Sequence, residues 1–455
     1  FTVAVGAAPH EALNLFVFAN RFSAGFGLEP QPGQTQRIEG SESRVDVGLN
    51  YRFGPMNQSW LKLGGGKLDV GFSGYRGGLY ELQQNLSDTT DLQWRHSVRE
   101  DGGPHAWSEW TWGLEGARAV LYRSTDAAPD LGVWPRILTD ERWRDHSTML
   151  YVQRRGTWGE TLEFDVGLFW QNYRIAPAHQ IRVENSHGLT EFQNELLVDL
   201  RRSGLYPRIG LAWSPTQQET WRIAYQHWLR PASASTLGPV ATAGIALDDQ
   251  SVLAGGTLKR LRVQWERELS EQSFVTAFAD TRRIRNQGQP GNVLNTRIET
   301  NDLDRLRNQA VLSLRSHGDA LEEPPVFLRG QVQSMGMSIN HLLRPTLSVF
   351  GQYTATYSRN SDLQGWELPF MPRHRLGLGA TWQGPGRLLL QVQAIYRTHR
   401  YTTEDGVDAI PSGWDMALSG NWQTQDRRWT VGFYALNLLH KQRSASLGVQ
   451  AVWRY

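Results

Sequence analysis

The stretch from Ser444 to Tyr455, S-A-S-L-G-V-Q-A-V-W-R-Y, separates into two faces when drawn as a strand. Ala445, Leu447, Val449, Ala451, Trp453 and Tyr455 fall on one side, and Ser444, Ser446, Gly448, Gln450, Val452 and Arg454 on the other. Side chains alternate across a strand, so one edge of this segment is wholly apolar and ends in an aromatic residue. The period returns along the chain. Val45, Val47, Leu49, Tyr51 and Phe53 oppose Arg44, Asp46, Gly48, Asn50 and Arg52, and Leu162, Phe164, Val166, Leu168 and Trp170 oppose Glu163, Asp165, Gly167 and Gln171. In Lys67 to Phe72 the pattern predicts Leu68, Val70 and Phe72 outward. A chain of such segments needs an oily medium on one side of each strand and a wet one on the other.

No run of about 20 apolar residues exists, so helical membrane spans are excluded. The other structure that spans a bilayer is a closed sheet, because an open edge leaves backbone donors and acceptors unpaired in hydrocarbon. Low mean hydropathy is then expected despite 19 Trp, 14 Tyr and 16 Phe, since only alternate residues meet lipid. The absence of Cys among 455 residues fits a cell-envelope compartment and removes thiol catalysis and thiolate metal sites. Lys plus Arg total 47 against 45 Asp plus Glu, and a net charge of +2 gives no attraction to nucleic acid. The chain opens at Phe1 with neither Met nor an apolar leader, so either a signal peptide has been removed or the sequence starts inside a longer protein.

The C-terminal third alternates most regularly, through Leu347 to Tyr357, Leu388 to Tyr396, Trp414 to Trp422 and Trp429 to Ala435. Each apolar face carries Trp or Tyr at one or both ends, as expected where a strand passes from hydrocarbon into headgroups. Gln383 to Gly386 and Gln425 to Arg427 read as tight turns, whereas Arg283 to Arg305, Asn360 to Arg373 and Arg397 to Gly413 are long and polar. The fold predicted is an all-β, transmembrane, antiparallel up-and-down β-barrel of about 16 to 20 strands, a single domain over residues 1–455, in the outer membrane of a Gram-negative bacterium. Gln84 to Asp145 is the least strand-like stretch and is expected to hold a long loop or an inward-folded constriction.

Arg260 and Arg262 share a strand face with Gln264, Glu266 and Glu268, opposite Leu261, Val263 and Trp265. With Arg282, Arg283 and Arg285 at the end of the next strand, they are candidates for a basic band lining a pore and attracting anionic or hydroxyl-rich solutes. The competing reading is that they pair with neighbouring acids and hydrate the lumen. Trp107 alternates with Trp110 and Trp112; if those two meet lipid, Trp107 points inside, either as a stacking platform for a sugar ring or as packing. The 12 His are scattered, and none lies in a His-x-x-x-His spacing or beside a Gly-x-Ser-x-Gly motif, so no enzyme and no cofactor is expected.

Several segments resemble the second half of the barrel of TonB-dependent receptors and of related barrels fused to periplasmic tetratricopeptide domains: Tyr225 to Ser233, Thr257 to Arg285, Leu368 to Leu376 and Ala435 to His440. The closing strand resembles that of outer-membrane barrels in general, whose terminal aromatic is read by the barrel assembly machinery, a role this likeness gives to Trp453 and Tyr455. The motifs are structural and speak for architecture rather than cargo. No plug-like stretch is read ahead of the strand pattern, which begins by Leu15 or Arg44, and this disfavours energised import. A barrel without a plug is similar to the cellulose and poly-N-acetylglucosamine exporters.

The leading expectation is therefore a passive outer-membrane conduit for an exopolysaccharide, since many weak, interchangeable contacts let a polymer slide. The alternatives are a porin or receptor-type barrel for solute uptake, and a structural barrel anchoring an envelope or surface assembly. The partners expected are outer-membrane lipid and lipopolysaccharide, the barrel assembly machinery and a periplasmic scaffold or export partner.

Overall fold

The structure, a computed structural model, describes residues 2–31, 34–76, 79–103, 106–128, 136–184, 190–193, 200–231, 236–248, 252, 255–286, 327–363, 365–401, 406, 409–436, 438–439 and 445–453. The strands are β1 Thr2–His10, β2 Leu13–Gln31, β3 Gln34–Gly54, β4 Asn57–Arg76, β5 Leu79–Asp101, β6 Trp107–Ala128, β7 Arg136–Trp158, β8 Leu162–Glu184, β9 Thr190–Gln193, β10 Leu200–Thr216, β11 Glu219–Leu229 and β12 Ala241–Thr242. They continue with β13 Ile245–Ala246, β14 Thr257–Ser270, β15 Ser273–Arg285, β16 Arg329–Arg344, β17 Leu347–Asn360, β18 His374–Gly384, β19 Leu388–Arg397, β20 Arg400–Tyr401, β21 Ala409–Ile410, β22 Gly413–Gln423, β23 Trp429–Leu436 and β24 Ser446–Trp453. Four of these are two-residue pieces, which leaves 20 longer strands among the described residues.

By its internal contacts the chain divides into two compact units, each described by itself. Unit 1 comprises Phe1–Ala212, Ala224–Lys259 and Arg285–Leu303; unit 2 comprises Trp213–Ile223, Arg260–Ile284 and Asp304–Tyr455. In unit 1, β1 to β9 pair antiparallel, each with the next in sequence. In unit 2 the same up-and-down order runs β16–β17–β18–β19–β22–β23–β24. The tight turns fall where Gly and Pro dictate them: Pro385–Arg387 forms a single 3-10 turn with Gly386 at φ 64°.

The two faces of each sheet are inverted relative to a soluble protein. Val45, Val47, Leu61, Leu63, Leu150, Val152, Val166 and Leu168 are exposed, while Asp46, Lys62, Asp91, Gln93, Glu109, Glu115, Asp145 and Asp165 are buried. A continuous exposed apolar belt would aggregate in water and is stable only against hydrocarbon.

The belt is much shorter than the strands. β5, β7 and β8 each run 23 residues, whereas a tilted membrane-spanning strand needs about 9–11. On β8 the outward residues are apolar from Leu162 to Trp170 and then become Asn172 and Arg174; on β6 they pass from Trp110, Trp112 and Leu114 to Gly116 and Arg118. The C-terminal part of β8 and that of β6 therefore stand clear of the hydrocarbon, where both faces can be polar.

That geometry corrects two expectations. Gln84 to Asp145 is not a loop or an inward-folded constriction: its described residues form β5, β6 and the start of β7, and alternation fades there because the outward side chains no longer touch lipid. Leu68 is not outward either. Pairing of β4 with β5 is continuous from Asn57 to Arg76, so Leu68 lies on the face of Lys62, opposite Leu61 and Leu63.

Candidate functional site

The segment after β11 does not return directly to β14. The Arg230 N–H bonds to the Gly256 carbonyl at 2.9 Å and the Gly255 N–H to the Arg230 carbonyl at 2.7 Å, so the two ends of the loop are clasped. Between them lie Pro231, Gly238, Pro239, Gly244 and Gly255, residues that break alternation. The described part, Thr236 to Asp248, folds as a small hairpin: β12 and β13 pair, and the Leu247 N–H reaches the Val240 carbonyl at 2.9 Å. Its tip, Ala243 at φ 48° and Gly244 at φ 79°, has the two positive φ values of a type I′ turn.

This hairpin lies against the polar face of unit 1, and its backbone is held by side chains of the wall. Glu115 on β6 accepts the Thr236 hydroxyl at 2.7 Å and the N–H groups of Leu237 at 2.9 Å and Gly238 at 2.6 Å. Asp165 on β8 accepts the Ala243 N–H at 3.0 Å. Arg208 donates to the Pro239 carbonyl at 2.6 Å, Gln226 to the Ile245 carbonyl at 2.8 Å and Arg95 to the Leu237 carbonyl at 3.4 Å. Gln171 imitates a strand neighbour, donating to the Leu229 carbonyl and accepting its N–H, both at 3.0 Å. Buried backbone groups of a loop must be paired somewhere, and here the wall supplies the partners.

Apolar contacts complete the seat. Met149, Tyr151, Phe169, Tyr173, Ile175 and Leu229 form a buried cluster on this otherwise polar face. The Tyr151 and Phe169 rings stack at 5.6 Å, and the Arg208 guanidinium sits 3.9 Å from the Phe169 centroid. Gly210 lets the hairpin approach, since a Cβ there would stand 2.7 Å from the Ala243 Cβ. A cavity of about 20 Å³, bordered by Asp91, Gln93, Glu115, Ser147 and Gln171, remains beside Leu229 and Pro231, with room for one water.

The residues singled out in the sequence are distributed as follows. Arg260, Arg262 and Arg282 converge on Asp280 in unit 2: Arg260 at 2.6 Å, Arg282 at 2.8 Å and Arg262 at 3.5 Å. Glu266 pairs with Arg222 at 3.2 Å. Arg283 and Arg285 occupy the opposite, exposed parity of β15, separated from Arg282 by the sheet. Trp107 lies on the face of Glu109 and Thr111 but at the turn end of β6, with Arg99 and Arg155 at 4.9 and 5.8 Å from its ring. Trp453 is exposed on the face of Leu447 and Val449, 6.2 Å from Trp429, and Tyr455 lies outside the described residues. The hairpin seat itself was not singled out by its sequence; its signal is a break in alternation at Thr236 to Asp248, rich in Gly and Pro between two regular strands.

No protein-family model and no curated protein matches the chain. Solved structures do, over its whole length. The ferric yersiniabactin uptake receptor of Yersinia pestis is similar at TM-score 0.66 and 10% identity, covering 100% of this chain and 70% of that one. The closed form of the ferric-catecholate import receptor of E. coli K12 gives 0.66 and 12%, covering 99% and 73%. The fold is that of the barrel of outer-membrane receptors. An unliganded ferric citrate transporter agrees, with TM-score 0.65 and 11% identity over 99% of this chain and 69% of that one. The exposed apolar belt thus faces the lipid of a Gram-negative outer membrane, and the polar face is the inner wall. No plug-like domain is present among the described residues.

Proposed function

We propose that this chain is the barrel of a receptor-type system that takes up a polar solute across the outer membrane. The observation that carries the reading is its likeness, over the full chain, to proteins whose names mark them as uptake receptors, import receptors and a transporter. That likeness supports uptake better than the polysaccharide export expected from the sequence, because the names of these neighbours are those of uptake and import receptors. The hairpin Thr236–Asp248 fits a controlled passage: it occupies part of the inner wall of unit 1 and is tied to it by side chains rather than by strand pairing. A polymer conduit, which gains from an unobstructed wall, has no use for such an element. Trp453 and Tyr455 retain their proposed role in recognition by the assembly machinery, and transport rather than catalysis is the activity proposed.

The test uses cells lacking their own iron-chelate receptors and the purified chain in planar bilayers. Expression is expected to restore uptake of at least one of a panel of labelled polar solutes, ferric chelates included. Deletion of residues 236–248 is expected to raise conductance several-fold. Loss of surface polymer on gene deletion, with no uptake of any solute tested, would overturn the reading in favour of export.

A further inference from the structure

On the outward face of unit 1, basic side chains line up just beyond the apolar belt. Antiparallel pairing places Arg118 on β6 directly opposite His146 on β7, and His146 directly opposite Arg174 on β8. Arg144 lies two residues from His146 and shares its face. These positions keep the parity of Leu114, Leu150 and Trp170, which are exposed to lipid and stand opposite one another in the same register. On all three strands four residues separate the edge of the belt from the row: Leu114 from Arg118, Leu150 from His146 and Trp170 from Arg174. Four residues span about 13 Å along a strand and about 9–11 Å along the membrane normal at a tilt of about 35–45°. Beyond the hydrocarbon lies a headgroup layer about 5–8 Å deep, so side chains of the row reach the headgroups. The short connections of these strands, residues 102–106 between β5 and β6 and residues 159–161 between β7 and β8, lie at the other end. Short turns mark the periplasmic side of an outer-membrane barrel, which puts the row in the outer leaflet.

The row carries no acid of its own. From Leu114 to Val120, Arg144 to Leu150 and Trp170 to Ala176, the outward residues include no carboxylate. Asp88 on the neighbouring β5 is diagonal to Arg118 but pairs with Lys67 at 3.9 Å. Among the described residues Arg118, Arg144 and His146 form no ion pair, whereas Arg174 is itself engaged and only extends the row. Arg154, on the same face of β7 at the far end of the belt, is covered instead by rings, at 5.0 Å from Trp110 and 5.8 Å from Phe164. Arg118 and Arg144 are diagonal neighbours across β6 and β7, and like charges so placed repel unless an anion bridges them. Between the row and the belt, Gly116 faces Thr148, and a Cβ on Gly116 would meet nothing within 4 Å. A shallow gap is thus left below the guanidiniums.

We infer that the outward face of β6 to β8 is a docking site for lipopolysaccharide, the phosphorylated glycolipid of the outer leaflet. Arg118, Arg144 and His146 hold a phosphate of its lipid A headgroup, the sugar lies over Gly116 and Thr148, and acyl chains run down Leu114, Leu150 and Trp170. The charge of the row selects a phosphate, and its fixed height above the belt selects one carried by a lipid. The site follows from the membrane placement of the fold and does not depend on uptake.

The test is native mass spectrometry of the purified full chain in detergent, titrated with bisphosphorylated lipid A, lipid A stripped of phosphate, phosphatidylethanolamine and inorganic phosphate. Bisphosphorylated lipid A is expected to bind saturably and at least tenfold more tightly than the other three. Arg118→Gln and Arg144→Gln are each expected to weaken it roughly tenfold, the loss of one charge-assisted contact. Arg387→Gln, which removes an equal charge in the tight turn between β18 and β19, is expected to change nothing. Should either of the first two variants fail to fold, Thr148→Glu replaces it; the new carboxylate, on the same face beside His146, is expected to abolish binding. Equal affinity for lipid A with and without phosphate, unchanged affinity in the row variants, or an equal loss in Arg387→Gln overturns the proposal. Inorganic phosphate binding as tightly as lipid A overturns it too, because the site would then ignore the lipid. Failure of uptake in cells with lipid A binding intact counts against the transport reading alone.

Discussion

The carboxylate of Glu115, midway along β6, receives the hydroxyl of Thr236 at 2.7 Å although 121 residues separate them in the chain. Two backbone N–H groups join the same oxygens, so one wall residue ends the solvation needs of a whole turn of the loop. Such a contact is strong while the carboxylate is present; without it the Thr236 hydroxyl and the Leu237 N–H lose this acceptor, and the Gly238 N–H keeps the Thr236 hydroxyl oxygen at 2.9 Å.

Glu115→Ala is therefore expected to free the hairpin from the wall. Hydrogen bonds to a charged group contribute about 1.5–3 kcal/mol each, and the hairpin is then held only by Asp165, Arg208, Gln226, Arg95 and its apolar contacts. The outcome should be several-fold higher conductance in planar bilayers and new protease cleavage near Gly244. Unchanged conductance together with an unchanged cleavage pattern would show that the hairpin is seated by its apolar contacts instead.

Ala243 adopts φ 48°, a conformation that costs a residue with a Cβ about 1 kcal/mol. Ala243→Gly should raise the denaturant midpoint by about that free energy, since the Asp165 bond to its N–H is kept. Gly210→Val should do the reverse, by about 1–3 kcal/mol, because the new side chain collides with Ala243 and Thr242. If both substitutions leave the midpoint unmoved, the hairpin is not packed on β10.

The apolar belt predicts a sharp difference between neighbouring positions. Val166→Arg on the lipid face should cost about 2–4 kcal/mol in equilibrium folding into phospholipid vesicles. Ser147→Ala, on the polar face of β7, should cost far less. Equal effects would mean that Val166 does not meet acyl chains.

Asp426 lies in the turn between β22 and β23, outside the hydrocarbon. The Thr424 hydroxyl and then the Arg428 N–H hold its carboxyl below the ordinary aspartate range. A lowered value means that the ionised form stabilises the fold at higher pH, and that this contribution is lost as pH falls through the folded value. The difference in melting temperature between wild type and Asp426→Asn should be present at pH 6 and fade below the ordinary aspartate value of about 3.9. A difference that persists or grows in acid would contradict the assignment.

Strand class was legible because lipid imposes it locally. Val45 to Phe53 and Leu162 to Trp170 must alternate wherever they sit in the chain, since each second side chain meets hydrocarbon. Alternation says nothing about strand length beyond the bilayer, and so β5 and β6 above the belt carry no strand signal in the sequence. The ladder of Arg260 and Arg262 is visible in their own strand, but Asp280, which binds both, belongs to the next strand and meets them only through the fold. Arg283 and Arg285 are close to Arg282 in sequence, but alternation along β15 puts them on the other face.

The amino-acid order alone thus determined the medium on each side of every strand, because the two-residue period of the backbone writes solvent preference directly into the sequence. Only the tertiary structure decided what lies against the inner wall: which carboxylate receives which N–H, where a loop turns inward and where like charges accumulate. Those relations join residues tens to more than a hundred positions apart, and they depend on strand register and side-chain reach, which no local pattern encodes.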